Sequence, residues 1–315
     1  MPLSLQETAF ARSLCLSGLS LALACGGSSS NLGPSTSDGG SSSSGSSSGG
    51  SGTSSGGSSS TSSGGSGGSS SGGESSSSSS SSGGIPEGGP LDPNAPPGTN
   101  FDLALWELQE PVGSTNSPTI ISPAKLAAGF HDAYFFTDPT DGAMTFWDPE
   151  NGVTTGGSDY ARSELREMTQ AALEASWQST GTNKLSATLE VTMVPDHVCV
   201  GQIHTSGTKP LLELYFYASG ALVLGIEQTP SGGNEVPNPV GNVPLGMKWS
   251  YVIGLSGSTI SLTIDGGKTL TFPMPSSFAG QSMYFKAGDY DQSTGTSATV
   301  GATVKFYALA VDHGP

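Results

Sequence analysis

Apolar and polar positions alternate strictly over residues 185–192. Leu185, Ala187, Leu189 and Val191 take one parity, and Ser186, Thr188, Glu190 and Thr192 the other. A strand turns successive side chains to opposite faces, so this spacing predicts a strand with one face on a core. The same period of two returns at Trp249, Tyr251 and Ile253. It returns again at Ile260, Leu262 and Ile264, which run into Asp265-Gly266-Gly267 and then Leu270 and Phe272. That turn chemistry predicts a hairpin. A last strand is expected at about residues 302–311, and residues 122–130 allow one short helix. Many short antiparallel strands with Gly, Ser and Pro turns predict an all-β fold, a sandwich or jelly roll of antiparallel sheets.

Three further phrases alternate in the same way but carry ionisable side chains on one parity. They are Arg162-Ser163-Glu164-Leu165-Arg166-Glu167, Gln202-Ile203-His204, and Tyr284-Phe285-Lys286-Ala287-Gly288-Asp289-Tyr290-Asp291-Gln292. On extended backbone Arg162, Glu164 and Arg166 share a face, as do Gln202 with His204, and Lys286 with Tyr290 and Gln292. Leu165, Phe285 and Ala287 then face the core. A sheet face of arginines, an amide, a histidine and a tyrosine is costly to bury, so it is expected to line an open groove. Taken singly the phrases have plain structural readings: a solvated ladder of ion pairs, an exposed histidine, an aromatic edge strand. Their ordered recurrence on one sandwich is what points to a site.

In order and spacing the three phrases resemble the R-S/T-E-L/V-R, Q-I/V-H and Y-F-K-A-G-x-Y-x-Q strands of the alginate lyases of polysaccharide lyase family 7. The resemblance runs from about Phe101 to the C-terminus and includes a lead-in, Tyr134-Phe135-Phe136 and then Thr154-Thr155 through Tyr160. It implies a β-jelly roll with a concave substrate groove and an enzyme that cleaves 1,4-linked uronate polymer by β-elimination, leaving 4,5-unsaturated oligosaccharides. Asp289 and Asp291 depart from the commoner residues of the long motif, and Asp289 is expected to point away from the groove. Ile203 in the central motif tends in the family to accompany action on guluronate-containing blocks. An endo-type lyase with that preference is therefore the expectation.

The elimination removes the proton on C5, beside the carboxylate, and expels O4 of the next sugar. It needs the carboxylate charge offset, a base at C5 and an acid at O4. Arg162 and Gln202 suit the first role, since a guanidinium holds a carboxylate by two parallel hydrogen bonds and an amide adds a neutral donor. His204 suits a partner or base. Tyr290 suits the acid and could serve as base too, its ionised form being favoured by nearby cations. The resemblance assigns these catalytic roles to the same four residues, with Tyr290 making both proton transfers on mannuronate and His204 acting as base on guluronate. Glu164, Arg166, Lys286 and Gln292 are expected to hold or orient substrate, Glu164 as an ion-pair partner between the two arginines.

The scheme calls for no cofactor and no metal. His131, His197 and His313 are scattered without ligand spacing and read as surface or loop histidines. Three alternatives were weighed. A jelly-roll glycoside hydrolase needs two carboxylates at a fixed separation, and the E-x-D-x-E strand of laminarinases and lichenases is missing. A non-catalytic glycan-binding module would not need the four catalytic residues. A lyase on another polyuronate, such as glucuronan, would use the same chemistry.

Composition adds the setting. Residues 26–84 are almost only Ser and Gly, and residues 85–98 are Pro-rich. Neither has a core to form, so residues 26–99 read as a disordered linker, flexible and then stiffer. The catalytic domain is placed at residues 100–315, roughly 215 residues and ample for one core. Residues 1–25 read as a lipoprotein-like signal peptide: Arg12, an apolar run over 14–24, then Cys25 as the lipidation site. Ala22-Leu23-Ala24 also fits an ordinary secretory cleavage site. Export is expected on either reading, with lipid at Cys25 as the sole link to a membrane. Cys199 is the one cysteine of the domain and reads as a small buried hydrophobe. The net charge is −16, which argues against nucleic acid as a partner. An acidic polysaccharide must instead be held by a local cluster, which Arg162, Arg166 and Lys286 can supply, since screening silences distant charges. A monomer is expected.

Overall fold

The computed structural model describes residues 90–207 and 209–315. The signal peptide, Cys25 and most of the linker lie outside the described residues. The strands follow in chain order as β1 (Trp106–Ser114), β2 (Ser117–Ile121), β3 (Phe135–Thr137), β4 (Met144–Pro149), β5 (Ser163–Glu167), β6 (Thr182–Met193) and β7 (His197–Thr205). After them come β8 (Leu212–Tyr217), β9 (Ala221–Ile226), β10 (Val236–Asn242), β11 (Trp249–Ser256), β12 (Thr259–Ile264), β13 (Leu270–Pro273), β14 (Met283–Asp291) and β15 (Gly301–Gly314). They form two antiparallel sheets, ordered β10-β9-β8-β7-β14-β5-β1-β2 and β13-β12-β11-β6-β15-β4-β3. This is the all-β sandwich that the alternation predicts. The short helix near residue 122 is present as Pro123–Ala127.

The core lies between the sheets and is filled by one parity of each strand. Leu185, Ala187, Leu189 and Val191 of β6 are fully buried there, beside Trp249, Tyr251 and Ile253 of β11. From the other sheet Leu165, Phe285 and Ala287 reach the same core, as their spacing requires. The hairpin turn at 265–266 has positive φ at both Asp265 (48°) and Gly266 (62°), the twist that joins β12 to β13.

One expectation is corrected here. Residues 90–99 are not linker. Leu91 packs on the core, Asp92 and Asn100 exchange two hydrogen bonds of 2.9 Å, and Thr137 Oγ1 donates to the Ala95 carbonyl at 2.6 Å. Composition alone marked this stretch as spacer, but Leu91 and the first helix, Pro97–Asn100, have a surface to bury against. His313 is exposed, as read, but it lies near the end of β15 between two acceptors. Its Nδ1 lies 2.7 Å from Asn183 Oδ1 and its Nε2 lies 2.6 Å from Glu167 Oε1. Glu167 in turn accepts from Trp177 Nε1 and the Phe285 amide, each at 2.8 Å, tying the end of β15 to the other sheet.

Candidate active site

The three phrases fall on β5, β7 and β14, which are neighbours in one sheet. Register sets the site: Lys286 lies opposite Arg166 on one side and Gln202 on the other, and Tyr284 lies opposite His204. β14 bulges between Ala287 and Tyr290 against β7. Gly288 allows this, with φ of 150°. A side chain there would meet the Glu164 Cα and the Ser163 carbonyl at 2.8 Å, so β14 can close onto β5 only with glycine. The result is a cavity of about 580 Å³ over the sheet, lined by Arg162, Gln202, His204, Lys286 and Tyr290. Thr155 and Ser158 stand on one side, and Lys209, Pro210 and Glu213 on the other.

Glu164 lies beneath this cavity with no exposure. It accepts from Arg162 Nη1 at 3.1 Å and Gln202 Nε2 at 2.5 Å, and it pairs with Lys286 Nζ. Burial pushes the Glu164 carboxyl up, but Lys286 and Arg162 outweigh it and hold it below the ordinary value, so it is ionised. Glu164 thus holds three donors in place and does not itself line the groove. Burial also acts on Lys286, and with Arg162 nearby it takes the ammonium down to about 8 in spite of Glu164. Burial opposes the Arg162 charge as well, yet Glu164 and Tyr290 more than restore it, so Arg162 stays a cation.

His204 stacks on Tyr284, with ring centroids 5.2 Å apart at 20°. Its Nδ1 is 2.7 Å from the Thr205 carbonyl, which can only accept, so Nδ1 carries the proton and Nε2 keeps its lone pair. Burial, with Lys286 second, lowers the imidazole to about 3, so it is neutral. Tyr290 lies under Arg162, whose Cζ is 3.6 Å from the ring centroid. Its hydroxyl is 2.9 Å from Ser158 Oγ, and Ser158 Oγ gives its own proton to the Tyr160 carbonyl at 2.9 Å. The phenol therefore donates to Ser158. The nearby cation was expected to lower the Tyr290 pKa. Burial prevails over Arg162 and raises it, so the phenol keeps its proton at neutral pH.

The remaining residues named from sequence sit differently. Arg166 lies over the Tyr284 ring at 4.2 Å and bonds Glu174 at 2.6 Å, with Glu107 at 3.8 Å. It makes no pair with Glu164, which turns to Lys286 instead. Gln292 Nε2 reaches back to the Tyr290 carbonyl at 3.5 Å, and neither Arg166 nor Gln292 lines the cavity. Asp289 points away from the groove, as expected. It is fully buried near Asp148 of the opposite sheet, and neither of its carboxyl oxygens has a hydrogen-bond partner. Burial, then repulsion from Asp148 and Asp291, pushes Asp289 well above the ordinary range. Cys199 is buried and free, as read. Its place is outside the hydrophobic core cluster, since the bulge at Gly201 turns it toward Glu213.

Sequence reading missed Ser158 and Glu213. Ser158 meets Tyr290 across 132 residues, a contact that no local pattern encodes. Glu213 was legible: in Leu212-Glu213-Leu214-Tyr215-Phe216-Tyr217 the apolar parity is buried in the core, which leaves Glu213 and Tyr215 on the groove face beside Gln202.

Comparison with known proteins bears on this geometry. The profile of the alginate lyase 2 family, described as alginate lyase, matches residues 101–313. An alginate lyase from Klebsiella pneumoniae is 30% identical over 280 residues, covering 69% of this chain and 91% of that protein. The solved structure of alginate lyase A1-II′, a member of polysaccharide lyase family 7, superposes with a TM-score of 0.64 at 34% identity. That match covers 70% of this chain and 99% of the other. An alginate lyase from Pseudomonas aeruginosa gives a TM-score of 0.63 at 30% identity, covering 68% and 100%. A1-II′ has also been solved in complex with product (GGG) and with substrate (GGMG). With the profile matched along the whole sandwich and solved members superposing on it, the chain belongs to the alginate lyases of polysaccharide lyase family 7, and it is a polysaccharide lyase.

Proposed function

We propose that the enzyme cleaves alginate within the chain, acts on guluronate-containing blocks, and uses Arg162, Gln202, His204 and Tyr290 as its catalytic residues. The free donors of Arg162 and Gln202, with Lys286, take the C5 carboxylate and offset its charge as the enolate-like intermediate forms. His204 Nε2 removes the C5 proton. The electrons of the C5–H bond become the C4=C5 bond, the C4–O4 bond breaks, and Tyr290 gives its phenolic proton to the departing O4. The imidazolium and the phenolate then reset through solvent.

The observation that supports guluronate is the protonation state of the two proton carriers. A buried phenol that keeps its proton is ready as an acid and poorly placed to act as a base. A neutral imidazole with Nε2 free is ready as a base. Two separate groups suit a substrate whose C5–H and O4 lie on opposite faces, as in guluronate. Burial and Lys286 depress the basicity of His204, and a bound carboxylate, by offsetting Lys286, restores part of it. Along β7, Cys199, the partner of Tyr290, stands five residues from His204, roughly 16 Å of strand, so the two groups reach the cavity from separate points of the sheet. Internal cleavage is supported by the lining, which runs from Gln109 on β1 to Glu213 on β8. Four strand spacings are about 19 Å, room for several linked sugars.

The test is a product profile on poly-guluronate, poly-mannuronate and glucuronan. Expected are early oligosaccharides of mixed length and faster release from poly-guluronate. His204→Asn should cost about 10²- to 10⁴-fold on guluronate blocks and less on mannuronate. Equal losses on both would remove His204 as the guluronate base, and release of monomer alone would contradict internal cleavage. Export, with lipid at Cys25, is part of the same proposal, and the mass of the mature N-terminus decides between a lipidated cysteine and a free one.

A further inference from the structure

Glu213 stands on β8 opposite Gln202 and lines the cavity with Arg162, Lys209 and Tyr290. Tyr215 is on the same face, two residues along. Its hydroxyl lies 2.8 Å from Glu213 Oε2 and 3.0 Å from Glu235 Oε2. A phenol has one proton and can donate to one of these oxygens. The other contact is a hydrogen bond only if that carboxyl carries a proton of its own and donates it to the phenol oxygen. Geometry thus calls for one proton more than two ionised carboxylates and a phenol would hold. The backbone makes room for this arrangement. Gly225 of β9 lies opposite Glu213, and a Cβ there would come within 2.5–2.7 Å of the Glu235 carboxyl.

We propose that Glu213 is a specificity residue with two states: sharing the extra proton of the Glu213–Tyr215–Glu235 triad it hydrogen-bonds the polymer beside Gln202, and after releasing that proton to solvent it repels a uronate carboxylate. The proposal rests on a polyuronate occupying the groove. Glu213 is faced by Tyr215 from its own strand, Glu235 from the segment before β10, Glu164 from β5 and Arg162 just before it, and Gln202 and Cys199 from β7. Lys209 lines the same wall, and His197, Glu227 and Lys209 act on Glu235. Burial first, then Glu235 and Glu164 against the pull of Tyr215 and Arg162, moves the Glu213 carboxyl up to about 7. A switch near neutral pH follows. Lys286, at about 8, titrates above it and also affects binding of an anion.

The experiment is steady-state kinetics on alginate at low ionic strength, from about pH 6 to about pH 8, with kcat and KM separated. For the wild type KM should rise about three- to tenfold across neutrality, the effect of one added like charge beside a bound carboxylate. Glu213→Gln should remove the part of the rise centred near pH 7, leaving only the smaller rise as Lys286, at about 8, begins to lose its charge. Glu235→Gln keeps Glu213 but removes the facing carboxylate, so the rise should move to lower pH. A flat wild-type KM, a Glu213→Gln enzyme with the wild-type rise, or an unmoved midpoint in Glu235→Gln would each overturn the proposal. Failure to form unsaturated product on any uronate polymer would instead remove the substrate reading beneath it.

Discussion

Replacing Glu164 by glutamine tests how the site is held together. The carboxylate has no exposure and accepts from three donors, two of them cations. Removing one partner of a buried ion pair typically costs about 3–5 kcal/mol, because the remaining charge stays desolvated. Lys286 supplies a partial escape. Its ammonium already lies at about 8, and releasing the proton at neutral pH costs only about 1.4 kcal/mol per unit. The lower end, about 3 kcal/mol, is therefore expected. For a domain of this size that is a fall of about 6–12 °C in Tm. The Glu164 pKa is lowered in the fold, so its contribution is fully present above about 4.5 and is lost as pH falls through the folded value. The gap between wild type and variant should shrink accordingly in acid. Glu174→Gln, which removes an exposed partner of Arg166, is the contrast and should cost about 0–1 kcal/mol. Thermal melts by circular dichroism at neutral and acid pH read all three proteins. A Glu164→Gln variant that melts with the wild type at neutral pH, or a gap that does not close in acid, refutes the reasoning.

Asp289→Asn should flatten the fall of stability as pH rises above the ordinary carboxylate value. Asp148 and Asp289 are both raised by burial, so the fold binds protons that the unfolded chain releases, and stability falls as pH rises through the folded values. Parallel melting curves for variant and wild type would contradict that. His313→Leu should cost about 1–3 kcal/mol, since it leaves a buried Glu167 oxygen without its partner; a melt unchanged from wild type would show that the clasp contributes nothing. Because the proposed scheme offsets the carboxylate charge with Arg162 and Lys286, activity should survive EDTA, and loss restored by a divalent ion would contradict the scheme.

Strand faces were legible because one parity of the core strands is apolar and packs between the sheets. Leu165, Phe285 and Ala287 against Arg162, Lys286 and Tyr290 needed nothing beyond a period of two. What could not be read was pairing across distance. Glu164 was given to the two arginines of its face, but only Arg162 pairs with it; Lys286 reaches it from the neighbouring strand, where register sets glycine opposite Glu164, and Arg166 turns to Glu174 and Glu107. The phenol of Tyr290 was given a lowered pKa from one cation. The sign depends on burial, which sequence near the motif does not reveal. Asp289 stood out as a departure, and its neighbour Asp148 comes from the other sheet. The start of the domain was misplaced because Pro-rich composition outweighed a single Leu91 with a core to meet.

The most direct measurement is the ultraviolet absorbance of the new C4=C5 bond as wild type and Tyr290→Phe act on alginate side by side, with polymer binding followed in parallel. Tyr290→Phe leaves the ring beneath Arg162 and removes only the hydroxyl proposed to protonate O4. Wild type should give a steady rise, and the variant essentially none while still binding polymer. A variant that turns over at the wild-type rate would contradict Tyr290 as the acid.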